Sequence, residues 1–114
     1  MRNIKLFFLI FFLFTLKSNA QSLKNEFVVV VDAGHGGKDP GNRGNGYFEK
    51  NIALKIALNV GQTLSKNGVK VVYTRKKDVF VDLFRRAQIA NEANADLFIS
   101  IHCDAHNSNA YGAG

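Results

Sequence analysis

The run Phe27-Val28-Val29-Val30-Val31, closed by Asp32, constrains the fold more than any other stretch of this chain. Consecutive β-branched residues without polar alternation leave no face for solvent. They read as a strand buried on both sides, as in the middle of a parallel sheet. Later segments supply its partners. Val69–Thr74 is a second apolar strand and Leu97–Ile101 a third. Two helical periodicities lie between them. Over Glu49–Asn67, Ile52, Ile56, Val60 and Leu64 recur every four residues with Ala53 and Ala57 beside them, and Gly68 supplies a C-terminal stop. Over Asp82–Ala93, Leu83, Ala87 and Ala90 share one face, with Arg85, Arg86 and Glu92 expected towards water. The order β-α-β-α-β predicts an α/β fold: a sheet with a parallel βαβαβ core, right-handed crossovers and flanking helices.

A chain of 114 residues allows one small domain. Its N-terminus has the layout of an export signal. Arg2 and Lys5 are followed by Leu6–Leu16, apolar except for Thr15, and then by Ser18-Asn19-Ala20. Cleavage is expected after Ala20. The alternative, an uncleaved anchor, is disfavoured because eleven helical residues reach only about 16 Å, roughly half a bilayer core. No cysteine follows the apolar run, so no lipid anchor and no stable membrane attachment are expected. The domain is then residues 21–114, exported to the periplasm or the extracellular space.

The formal charge of +6 includes three cations and no acid from residues 1–20, leaving a domain that is only mildly basic. With no basic stripe interleaved with aromatics, a nucleic-acid partner is not expected. The single cysteine, Cys103, forms no internal disulfide, and one Cys with three His excludes a Cys-rich zinc finger.

Residues Ala33–Tyr47 hold six glycines and the sole proline, Pro40. Loops of that length inside a compact domain are usually functional or disordered. In an open α/β sheet the ligand site lies beyond the carboxyl ends of the strands. Asp32 and His35 follow the first strand; His102 and Asp104 follow the third. Glu49 opens the first helix, where the chain leaves the glycine-rich loop. Two imidazoles and a carboxylate at one sheet edge, with no thiolate, form the donor set of a catalytic zinc site with an open fourth position.

Four segments in order, Val30-Val31-Asp32-Ala33-Gly34-His35-Gly36-Gly37, Asp39-Pro40-Gly41, Glu49-Lys50-Asn51 and Ser100-Ile101-His102-Cys103-Asp104-Ala105, resemble the zinc-dependent N-acetylmuramoyl-L-alanine amidases, the type-3 cell-wall amidases. The resemblance spans Phe27 to about Gly114. It implies Zn2+ held by His35, Glu49 and His102, a mixed sheet, and peptidoglycan as substrate. The implied reaction is hydrolysis of the amide between N-acetylmuramic acid and L-alanine. The family also carries a catalytic glutamate on a late strand, whereas no Glu follows Glu92 here. No catalytic residue is therefore assigned within these 114 residues, and the sequence reads as the N-terminal part of an amidase domain, truncated at its C-terminus. The alternative is a non-catalytic peptidoglycan-binding module that keeps the metal site.

The remaining candidates have two readings each. Asp32 could accept a ring N–H from a ligand histidine or cap the glycine turn; Asp104 has the same pair of readings. His106 could face the cleft or be a polar loop residue. Cys103, adjacent to His102 in an extended segment, should point away from the metal as a small buried hydrophobe. Lys76, Lys77, Arg85 and Arg86 read as a solvated face, or as an attraction for anionic wall polymers.

Overall fold

The computed structural model describes residues 26–104; the export signal, His106 and the tail at 107–114 lie outside them. Among the described residues, the strands are β1 (Val28–Ala33), β2 (Arg43–Gly44), β3 (Tyr47–Phe48), β4 (Lys70–Tyr73) and β5 (Leu97–Ile101), and the helices are α1 (Glu49–Lys66) and α2 (Leu83–Glu92). The main sheet has the order β4-β1-β5. All its pairings are parallel, with Val29 opposite Val71 on one side and Leu97 on the other. The α/β fold with a parallel sheet is thus as expected. β1 is the inner strand and all six of its residues are buried, the physical counterpart of its unbroken apolar run.

Side chains alternate along β1. Val29, Val31 and Ala33 pack with Ala57 of α1, and Leu54, Val60, Leu64, Val71, Tyr73, Ile99 and Ile101 close around them. The stripe α1 buries is not quite the one its periodicity suggested. Ala53, Ala57 and Gly61 are buried, whereas Ile52 and Ile56 are exposed. Small residues win because the helix lies very close to the sheet: a Cβ on Gly61 would stand 2.1 Å from the Tyr73 hydroxyl. The predicted stop at Gly68 holds, with φ +80 and the Val69 N–H reaching back to the Leu64 carbonyl.

The second helix departs further from expectation. Asp82 caps it by accepting the Arg85 N–H at 2.8 Å. Yet Leu83 and Phe84 are 84% and 77% exposed, and the one residue α2 buries is Arg86, at 6%. Arg86 is therefore not part of a solvated face. The reason is a partner: the buried Asp32 carboxylate on β1 accepts Arg86 Nη1, and an ion pair of this kind draws the guanidinium inward. The apolar face formed by Leu83 and Ala87 stays uncovered by described residues, as do Leu97 and Phe98 on β5.

The glycine-rich loop is more ordered than its composition suggests. It contains an antiparallel hairpin, β2–β3, turning at Asn45 (φ 47) and Gly46 (φ 80). Asn-Gly is a strong hairpin signal, and Asn45-Gly46 carries it in the sequence. No helix among the described residues is long and apolar enough to cross a membrane.

Candidate metal centre

Three elements deliver one donor each. His35 lies just past β1, Glu49 opens α1 and His102 follows β5. The two outer segments come together because β1 and β5 pair in register through Ala33 and Ile101, and the Gly34 N–H continues the ladder to the Ile101 carbonyl. Glu49 is brought back by the loop: its N–H reaches the Asn42 carbonyl, and the Lys50 N–H reaches the Pro40 carbonyl.

His35 Nε2 and His102 Nδ1 each stand 3.1 Å from Glu49 Oε1. The candidate donor atoms of the three residues all lie within 4.8 Å of one another. Ligands about 2.0–2.1 Å from a tetrahedral zinc are about 3.3 Å apart, so the observed spacing fits that ion with small adjustments. The surroundings are shaped for two rings. A Cβ on Gly34 would lie 2.4 Å from His102 Cε1, and one on Gly41 would lie 2.6 Å from His35 Cδ2 and 2.7 Å from Glu49 Oε2. Glycine is needed at both places, and Gly41 also has φ +65. The rings meet edge to face, with centroids 4.9 Å apart.

Glu49 is 3% exposed. Burial works to raise its pKa, but N–H donors from Asn42 to Oε2 and Cys103 to Oε1, both at 2.8 Å, together with the two imidazoles, hold it below the usual carboxylate range. It is an anion in place before any cation arrives.

The structure redistributes the supporting roles. Asp39, which the sequence reading held only as part of the Asp39-Pro40-Gly41 segment and gave no role, sits 2.8 Å from His35 Nδ1. A proton on Nδ1 donated to this carboxylate leaves the Nε2 lone pair facing Glu49. The contact with His35, followed by the Gly41 N–H, holds Asp39 below its ordinary pKa. The signal was in the sequence as an Asp four residues after a loop histidine, but only the turn closed by Gly36 and Asp39 makes it meaningful.

Asp32 does not orient a histidine. Oδ1 accepts from Thr74 Oγ1 at 2.6 Å and from Arg86, and Oδ2 accepts from Ser100 Oγ at 2.7 Å. It points to the face of the sheet opposite Ala33, and its lone pairs are used within the fold. Burial opposes its charge, but these three donors outweigh it and the pKa is lowered. Asp104 is exposed, and the carboxylate that meets His102 is Glu49. Cys103 is partly exposed rather than fully buried. Burial, Glu49 and Asp104 all push its thiol pKa up, which disfavours a thiolate ligand.

Both imidazoles border an open cavity of about 940 Å³, walled by Phe80, Leu83, Phe84 and Phe98 and floored by Asp32 and Arg86. His102, with 42% of its side chain exposed, and His35, with 23%, are reachable from it, whereas Glu49 lies beneath them at 2%.

The α/β sheet edge thus brings two imidazoles and a carboxylate together, open on one side to a cleft. The family model for N-acetylmuramoyl-L-alanine amidase matches residues 29–114, and the chain belongs to that family. The N-acetylmuramoyl-L-alanine amidase AmiA of Escherichia coli is 44% identical over 99 residues, which cover 85% of this chain and 34% of that protein. The endolysin of Bacillus phage SPP1 is 52% identical over 79 residues, 68% of this chain and 29% of the phage protein. Among solved structures, the amidase AmiC2 of Nostoc punctiforme superposes with a TM-score of 0.70 at 43% identity, over 73% of this chain and 47% of that one. The chain thus spans about a third of the length of these curated relatives.

Proposed function

We propose that this protein is an exported, zinc-dependent amidase of peptidoglycan, in which residues 1–20 act as the export signal and residues 21–114 belong to the catalytic domain. The bond cleaved is the amide between the lactyl group of N-acetylmuramic acid and L-alanine of the stem peptide. The observation that carries this reading is the convergence of His35, Glu49 and His102 at the end of a parallel sheet, in a chain of the amidase family.

His35, Glu49 and His102 would hold the ion, with Asp39 fixing the His35 tautomer. When bound, zinc supplies Lewis acidity towards a carbonyl and activates water near neutral pH. The chain's own contribution is placement. Glu49 is kept anionic by two backbone N–H groups. The cavity wall of Phe80, Leu83 and Phe84 offers apolar surface on one side of the imidazoles. Proton transfer needs a further group, since the three donors are committed to the ion and Asp32 is committed to Arg86, Thr74 and Ser100. That commitment favours the second reading, a peptidoglycan-binding module with a metal site, for the described residues acting alone.

The test combines metal content and product analysis. The purified protein is expected to carry about one zinc per chain. Zinc-loaded protein incubated with purified peptidoglycan is expected to release stem peptides with an L-alanine amino terminus, and to do so only slowly where residues 21–114 act without a further proton-transfer group. Zinc bound with retention on peptidoglycan but no release of such peptides would establish the binding module instead. A protein that takes up no zinc would overturn the metal assignment.

A further inference from the structure

Two arginines lie behind the candidate centre, on its sheet side, and touch none of its donor atoms. Arg75, just past β4, is buried at 4% and Arg86 of α2 at 6%. Their guanidinium groups take up three successive carbonyls of the segment that carries His35. Arg75 Nε and Arg86 Nη1 both donate to the Ala33 carbonyl, at 2.9 and 2.7 Å. Arg75 Nη2 donates to the Gly34 carbonyl at 2.7 Å, and Arg86 Nη2 to the His35 carbonyl at 2.8 Å. His35 has φ +59, a conformation that non-glycine residues seldom adopt without outside support.

The same groups reach the other two donor segments. Arg75 Nη2 also donates to the Lys50 carbonyl at 2.8 Å, one residue after Glu49. Arg86 binds the Asp32 carboxylate, which accepts from Ser100, two residues before His102. Every donor-bearing segment is thus tied to one buried polar network, in which, among the described residues, Asp32 forms an ion pair with Arg86 and Arg75 bonds to carbonyls alone. A cation near a metal site repels the ion, so their placement has a geometric purpose rather than an electrostatic one.

We infer that Arg75 and Arg86 are positioning residues that assemble the His35, Glu49 and His102 segments into their metal-binding arrangement before the metal arrives. The inference rests on the metal reading above and adds to it that the site is pre-built. Lysine keeps the charge but gathers its donors on one nitrogen at the end of a flexible stem, so it cannot span the separated acceptors that the planar Nε, Nη1 and Nη2 fork reaches at once.

The experiment uses the whole chain as wild type, R75K, R86K and R85K, the last being the exposed neighbour that pairs with Glu92. Zinc affinity is measured by competition with a chromogenic chelator, and ligand geometry by the visible spectrum of the Co2+ form. R75K and R86K are expected to bind zinc about 10–100-fold more weakly, with an altered Co2+ spectrum, while R85K matches wild type. In wild type, the Gly34 and Gly36 amides, which bond to Ile101 and Asp39, are expected to exchange equally slowly with and without zinc. This last measurement needs no variant to fold. Unchanged affinity and spectrum in folded R75K and R86K overturn the proposal even if they melt earlier, and so does protection of those amides only when zinc is present. A wild-type chain that binds no zinc overturns the metal reading itself, and the proposal with it.

Discussion

On the α1 side of β1, Val29, Val31 and Ala33 meet Ala57 through apolar contact alone. On the α2 side, Asp32 meets Arg86, Thr74 and Ser100 through hydrogen bonds, and Leu83 and Phe84 of the helix stay exposed. The two helices lie on one strand, yet the first is held by shape and the second by a charge network. Dispersion and burial are forgiving of direction; a hydrogen-bonded ion pair is not. The directional contacts hold the segments that carry His35 and His102, while Glu49 arrives on α1.

The largest expected effect comes from breaking the charged side. Arg86→Met leaves Asp32 buried without its counter-ion, and loss of one partner of a buried pair costs about 3–5 kcal/mol. Chemical denaturation of the zinc-free protein should show it. The same network sets an acid limit. The Asp32 pKa is lowered in the fold, so its stabilisation is fully present above the ordinary aspartate value of about 3.9 and is lost as pH falls through the folded value. The melting temperature of wild type is expected to fall with acid in that range more steeply than that of Arg86→Met. Parallel curves would mean that Asp32 is not the group concerned.

Overfilling the other face should cost less. Ala57→Leu adds three carbons where α1 touches β1 and is expected to destabilise by about 1–3 kcal/mol, while leaving the zinc affinity of the folded fraction unchanged. A weaker effect than from Arg86→Met would support the contrast between the faces; a stronger one would place the main stability on the apolar side. Asp39→Ala acts on the site alone. Zinc affinity is expected to drop about 10–100-fold with little change in melting of the zinc-free protein, since Asp39 is partly exposed. The smallest effect is predicted at Leu83→Ser. With 84% of that residue exposed, stability should change by no more than about 0.5 kcal/mol. A large loss would show that this surface is covered in solution.

Local pattern was enough for the elements and their order. An unbroken β-branched run between turn signals reads as an inner strand, a four-residue apolar repeat ended by Gly68 reads as a helix, and chain order then brings the ends of β1 and β5 together with His35 and His102 beside them. Those facts depend on period and succession, which a sequence displays. Which stripe of α1 is buried depended on how closely it approaches Tyr73, and Gly61 alone did not announce that distance. The fate of Arg86 depended on a carboxylate 54 residues away, and its neighbours on α2 gave no hint of it. The exchange of roles between Asp32 and Asp39 followed from the same cause: both are aspartates near His35, and only the folded chain decides that one faces the arginine and the other the imidazole. Periodicity reports which residues share a face of one element, but a pairing between polar groups on different elements exists only once those elements are packed.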